Sequence, residues 1–242
     1  MPTRTGLRVF RIRVHQNGDF APVGNRAGRE LSRNFLRLPG ILGACCGLCT
    51  TVTLEQTLRS GLHPLLAQRF SPDRFDPAGT VGDEELELLL EAARWAPSAG
   101  NSQPWAFFPA RPSEPEHDLL IRHLAASSAR WAPDAGALIV TLTRRFVDDP
   151  TIQYSEFADY DLGQAVAHLT VQAQALGLAC HQFRAFDADG LTTMLQPDPG
   201  WAVVSMIAVG TPASALPPAR NRRDTNDLRA APWASRGTGN RP

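Results

Sequence analysis

Residues 96–105 read A-P-S-A-G-N-S-Q-P-W, and no other stretch limits what this chain can fold into so tightly. Pro97 disfavours helical geometry in the residue before it, so the helical pattern ahead of the segment must stop near Trp95. Beyond it, Trp105 to Phe108 reads as a short strand. Between the two lies a loop rich in proline, serine, glycine and side-chain amides. Such a loop has a nearly fixed backbone path and several donors held close together. It suits gripping a flat, polar heterocycle along its edge, and taken alone it also fits an ordinary polar turn.

The flanking periodicity places this loop in a fold class. Asp83-Glu84-Glu85 puts acids in a first helical turn, and Leu86, Leu89, Leu90 and Ala93 follow on one face. Leu162, Val166, Leu169, Ala173 and Leu176 repeat at three and four, giving a second amphipathic helix closed by Gly177. Ala137 to Leu142 is a buried strand by its β-branched run, and Val203 to Val209 is a third strand ended by Gly210. Helices and strands mix without regular β-α-β alternation, so an α+β domain is expected.

Several chemistries are excluded outright. All 24 basic residues are Arg, so no Lys can form a Schiff base to pyridoxal phosphate or end a phosphate-loop motif. No G-x-G-x-x-G follows a strand, and neither G-x-S-x-G nor H-E-x-x-H occurs. Acids and bases balance at 24 each, which favours neither nucleic acid nor an anionic membrane as partner. Cys45, Cys46 and Cys49 cluster without a matching Cys or His set, and Cys180 stands apart. A zinc site or a disulfide framework is therefore not expected, and a reducing cytoplasm fits best. The apolar stretch from Leu38 to Thr51 is too short and interrupted for a membrane span or a usual signal peptide.

Residues 1–51 carry eight of the 24 Arg and only Asp19 and Glu30 as acids, with no sustained period. They read either as a basic arm or as the product of a start site placed too early, with Val52 the natural beginning; the second reading is preferred. Residues 52–224 form the expected domain, opened by a helix with Thr53 as N-cap and Gln56 three residues on. Residues 225–242 form a tail, and from Pro217 onward the chain is extended or partly disordered.

Two cationic elements bracket the loop. In Arg69-Phe70-Ser71-Pro72 an Arg and a Ser two apart in an extended segment point the same way and can grip one phosphate. Arg220-Asn221-Arg222-Arg223 offers a second cluster, which otherwise reads as a solvated tail. A phosphate clamp at each end with a heterocycle loop between them describes a site for flavin mononucleotide (FMN).

The order R-F-S-P-D-R-F-D-P, A-R-W-A-P-S-A-G-N-S-Q-P-W, D-L-G-Q-A-V-A-H-L-T-V-Q-A-Q-A-L-G-L and I-A-V-G-T-P-A, over roughly residues 53–224, resembles the nitroreductase family of FMN-dependent oxidoreductases. The resemblance implies a central, mostly antiparallel sheet surrounded by helices, in an intertwined homodimer with FMN at the subunit interface. It implies that Arg69 and Ser71, with Phe70 between them, hold the ribityl phosphate, and that Ser98, Asn101 and Gln103 contact the ribityl chain and ring edge, Pro97 contributing backbone. Gln182, Phe183, Arg184, Ala185 and Phe186 resemble the segment against the isoalloxazine ring, and Arg220 and Arg222 the C-terminal phosphate contacts, with Arg223 as a possible substitute. Two positions depart from the family pattern. Asp73 stands where a basic residue is common, with Arg74 one place on, and Ala185 stands where Gly is common.

The implied activity is reduction of nitroaromatic, quinone or similar acceptors with NAD(P)H as co-substrate, by a ping-pong mechanism that needs no catalytic side chain. Alternatives are another flavin reaction on the same fold, such as dehalogenation or flavin fragmentation, or a flavin-holding, redox-regulatory protein with poor turnover. Cys180 and His181 read as packing residues rather than as reagents.

Overall fold

A computed structural model describes residues 49–147 and 151–230. Their elements in chain order are β1 (Cys49–Thr53), α1 (Leu54–Arg59), α2 (Pro64–Gln68), α3 (Asp83–Arg94), β2 (Trp105–Ala110), α4 (Pro115–Ile121), β3 (Ala137–Arg144), α5 (Ala158–Ala175), β4 (Ala179–Phe183), α6 (Ala188–Leu195), β5 (Trp201–Gly210) and β6 (Ala219–Arg223). The expected N-terminal extension lies outside the described residues up to residue 48, and strand β1 crosses its expected end at 51. The expected tail is described only as far as residue 230.

The described chain divides into two units. One is Gln68–Leu216; the other comprises residues 49–67 and 217–230. The larger unit holds a four-stranded sheet of order β2-β3-β5-β4, every pair antiparallel. Alternation along its strands sends Ala137 and Ile139 to one face and Leu138, Val140 and Leu142 to the other. The first face packs against Leu89 and Ala93 of α3 and Leu162, Ala165, Val166, Leu169 and Ala173 of α5. The second packs against Leu120 of α4 and Leu191 and Leu195 of α6. Helices thus cover both faces of an antiparallel sheet, the α+β arrangement expected. Each fully buried Leu or Ile contributes about 1.5–3 kcal/mol. A surface ion pair such as Arg145–Asp159 adds about 0–1 kcal/mol, so apolar burial holds the layers together.

A bulge adjusts the pattern in β5. Thr141 pairs with Ser205 but Leu142 with Val203, so Val204 is an extra residue. It lets Val203 share a face with Met206 and Ala208, which strict alternation would forbid.

The helix ends follow local chemistry. At α3 the Gly82 N–H donates to Glu85 Oε2 at 2.8 Å, and the helix stops at Arg94 with Trp95 as its C-cap. At α5 the chain turns out through Gly177 at φ +77°, the left-handed region that glycine tolerates best. The Leu178 N–H reaches back to Ala173 O at 2.9 Å and the Gly177 N–H to Gln174 O at 3.2 Å.

In the smaller unit β1 and β6 form an antiparallel ribbon, with Val52 opposite Arg220 and Thr50 opposite Arg222. Thr53 and Gln56 cap α1 reciprocally, the Thr53 N–H donating to Gln56 Oε1 at 2.9 Å and the Gln56 N–H to Thr53 Oγ1 at 3.2 Å.

Candidate functional site

The 96–105 loop is a tightly wound piece of backbone. Ala99–Asn101 form a single 3-10 turn, and Gly100, Asn101 and Gln103 all have positive φ, at 59°, 55° and 46°. Two non-glycine residues in that region are held there by tertiary bonds. From the interior, Asp161 Oδ2 accepts the Ala99 N–H at 3.0 Å. Asp161 is 2% exposed, in the first turn of α5. Gln164, one turn on, points its Nε2 at Pro97 O, 3.4 Å away. At the outer end the Tyr154 hydroxyl donates to Ser102 O at 2.9 Å, and the Arg144 guanidinium lies 4.5 Å from the Tyr154 ring centroid. Pro104 O accepts from both the Arg144 N–H and Thr143 Oγ1.

Within the loop the expected ligands have distinct surroundings. Ser98 Oγ accepts the Gln103 N–H at 3.0 Å, so this hydroxyl pins the turn. Asn101 and Gln103 are exposed and keep their side-chain amides together, Gln103 Nε2 lying 3.3 Å from Asn101 Oδ1. Pro97 is exposed. The hydroxyl of Ser102 is buried without a hydrogen-bond partner among the described residues.

The Arg69–Pro72 arm runs before α3. Arg69 Nη1 and Ser71 Oγ stand 3.5 Å apart, a long contact that brings a cation and a hydroxyl within reach of one anion. Phe70 between them is half-buried, and Asp73 and Arg74 are both exposed. Pro72 O lies 2.7 Å from His181 Nδ1 on β4, and the His181 ring stacks on Trp131 at 4.4 Å. Cys180 beside it is 2% exposed, and burial pushes its thiol up to about 12, against smaller opposing effects of Thr170 and Arg69. Such a thiol stays protonated and is no nucleophile at neutral pH. His181 and Cys180 are thus packed as expected.

The third segment leaves β4. Gln182 Nε2 donates to Thr170 Oγ1 on α5 at 3.0 Å. Phe183 turns to the opposite face and meets Trp131 edge-on at 5.1 Å, so its ring belongs to the core. Arg184 is exposed, its guanidinium 5.0 Å from the Phe186 ring centroid. Ala185 O accepts from the Ala125 N–H and from Ser128 Oγ, whereas no acceptor among the described residues meets the Ala185 N–H.

These three segments belong to the larger unit, and Arg220 and Arg222 to the smaller one. Arg220 Nη2 donates to Ala67 O, and Arg222 Nη1 to Asn221 O at 2.8 Å. Strand alternation sets Arg220 and Arg222 on one face of β6 and Asn221 and Arg223 on the other.

Sequence reasoning missed Asp161 and Tyr154, which hold the loop. A signal for Asp161 was present, since it stands in line with Ala165 and Leu169 at helical spacing, an acid on the buried stripe of α5.

Fold and loop together match a known family. The nitroreductase family model matches residues 66–211, more than half of the 242-residue chain. The major NAD(P)H-flavin oxidoreductase of Aliivibrio fischeri is 44% identical over 48 residues, 19% of this chain and 22% of that protein. The 5,6-dimethylbenzimidazole synthase of Rhodospirillum rubrum is 27% identical over 214 residues, 75% of this chain and 93% of that protein. A Desulfovibrio desulfuricans structure in complex with FMN shares 29% identity and a TM-score of 0.58, covering 71% of this chain and 98% of that one. The chain belongs to the nitroreductase family. It spans 22%, 24% and 53% of the length of the first curated relatives it matches, so the matched stretch takes in about half of them or less.

Proposed function

We propose that this protein is an FMN-dependent oxidoreductase that uses NAD(P)H to reduce nitroaromatic, quinone or similar acceptors. The observation that carries the reading is the clamped loop, whose backbone is fixed by a buried carboxylate while the amides of Asn101 and Gln103 stay at the surface. The donor set suits the cofactor. A guanidinium beside a hydroxyl suits a phosphate, paired amides suit the edge of a heterocycle, and the buried, partnerless Ser102 hydroxyl leaves a donor in the same loop.

In this reading Arg69 and Ser71 hold the phosphate, and Arg220 and Arg222 are proposed from the family pattern as C-terminal phosphate contacts. Ser98 keeps the loop in shape, and Asn101, Gln103 and the Pro97 backbone meet the ribityl chain and ring edge. The stretch from Gln182 to Ala185 offers backbone, with the Ala185 N–H as a donor and Arg184 as a nearby cation. Bound FMN supplies a two-electron relay between NAD(P)H and the acceptor. The residues bind, orient and exclude water, and no side chain need move a proton. Both substrates using one face in turn gives parallel-line ping-pong kinetics. The domain that does this comprises residues 52–224, followed by a tail over 225–242.

Support for a homodimer comes from α5. Beyond Asp161 it carries no Asp, Glu or Arg, and Gly163, Ala167 and His168 are exposed on its outer face. Trp95, at 73% exposure, and Tyr160, at 67%, add large apolar surface.

The test is a visible spectrum of purified protein followed by anaerobic titration with NADH. Yellow protein that releases FMN on denaturation and bleaches with NADH is expected; release of FAD, or colourless protein that rejects added FMN, defeats the proposal. The likeness to the dimethylbenzimidazole synthase favours flavin fragmentation as a second reading. Oxygen-dependent loss of the flavin with a new benzimidazole product would select it, and steady NAD(P)H consumption with an added quinone would select the first.

A further inference from the structure

Strand β4 is at the edge of its sheet, and Pro72 of the Arg69–Pro72 arm lies against it at His181. Pro72 has no N–H to donate, so this residue cannot extend the ladder. Its carbonyl takes a hydrogen bond from the His181 imidazole instead, at 2.7 Å. A carbonyl only accepts, so Nδ1 carries the proton whether the ring is neutral or charged. On its flat side the ring is backed by Trp131, itself stacked on Phe75 three residues beyond Pro72. The neighbouring Gln182 reaches the other way, to Thr170 on α5. Two consecutive side chains thus fasten β4 on opposite sides just ahead of Arg184 and Ala185.

We infer that His181 is a positioning residue that sets the spacing between the phosphate-gripping arm and the strand that leads to Ala185, and that FMN affinity depends on its Nδ1 donor. The inference rests on the FMN reading above. Affinity depends on the donor because the phosphate and the ring are joined by one ribityl chain, whose extended length caps the distance between them. If the arm drifts from β4, Arg69 and Ser71 cannot meet the phosphate while the ring stays seated.

Two substitutions separate the parts of the interaction. In His181→Asn the side-chain Nδ2 stands as many bonds from the backbone as the imidazole Nδ1, so the donor is kept and the stack on Trp131 is lost. In His181→Phe the stack is kept and the donor is lost. Dissociation constants for FMN and for riboflavin are measured on wild type and both variants by flavin fluorescence, at a temperature well below each melting point. A net hydrogen bond is worth roughly three- to tenfold in binding. His181→Phe should therefore weaken FMN by about that factor and leave riboflavin unchanged, since riboflavin has no phosphate for the arm to hold. His181→Asn should bind FMN within about twofold of wild type. Equal losses in both variants, loss only in His181→Asn, parallel losses for FMN and riboflavin, or no change in either would each overturn the inference. Wild-type protein that binds no FMN would instead remove the functional reading beneath it.

Discussion

The carboxylate of Asp161, in the first turn of α5, accepts the backbone N–H of Ala99 from 62 positions earlier at 3.0 Å. This bond joins the start of α5 to the sharpest turn of the loop, and it is part-buried, with Asp161 buried and Ala99 exposed. Removing the acceptor leaves that N–H to water, so the loss is that of one net hydrogen bond, about 0.5–1.5 kcal/mol. Asp161→Ala should lose that much stability in urea unfolding, and its flavin content should fall with it. Asp161→Asn keeps an acceptor oxygen and should retain most of both. If Asp161→Ala were as stable as wild type, the clamp would have no energetic weight.

Arg69 supplies the cation of the arm. A charge-assisted hydrogen bond is worth about 1.5–3 kcal/mol, so Arg69→Ala should weaken FMN binding by about 10- to 100-fold. Equilibrium dialysis against FMN gives the answer directly, and an unchanged constant would move the phosphate elsewhere.

The ribbon register makes a sharper claim about the C-terminal arginines. Arg220 and Arg222 share a face of β6, and Arg223 stands on the other. Arg222→Ala should weaken FMN binding, whereas Arg223→Ala should match wild type in the same assay. The reverse order would show that Arg223 is the phosphate ligand.

His117 on α4 is 3% exposed, its Nε2 has no hydrogen-bond partner among the described residues, and burial pulls its pKa below the usual 6.5 against the opposing charges of Asp118 and Glu114. As pH falls, the unfolded chain therefore takes up the proton first. Stability is full above about 6.5 and declines as pH drops toward the folded-state value, by up to about 1.4 kcal/mol per pH unit. His117→Phe should flatten this decline. Melting curves from pH 7.5 to 5.0 that run parallel for both proteins would disprove it.

Much of this fold was legible because its main elements carry strong local patterns. The stripe of α5, the acidic start of α3 and the β-branched run of β3 each state their own conformation. The loop was legible because Pro97 stops a helix. By contrast β4 reads Ala-Cys-His-Gln-Phe, without a β-branched residue, and its strand character comes from pairing with β5. The same holds for β6, whose Ala-Arg-Asn-Arg-Arg becomes a strand by meeting β1 about 170 residues away. The extra residue at Val204 left no mark in composition, since Val suits either face. Ser98 and Phe183 read as ligands from the family pattern, and their surroundings were not legible: the Ser98 hydroxyl accepts the Gln103 N–H and the Phe183 ring meets Trp131.

Helix α5 carries the loop at Asp161 and the end of β4 at Thr170, nine residues apart. At 1.5 Å per residue that interval is roughly 13.5 Å, and at 100° per residue it is two and a half turns. The helix therefore acts as a gauge block between the two segments. One inserted or deleted residue within that interval would change their separation by about 1.5 Å and swing one attachment by about 100° around the axis. Substitutions can alter what each segment presents, but a change of helix length re-indexes both at once.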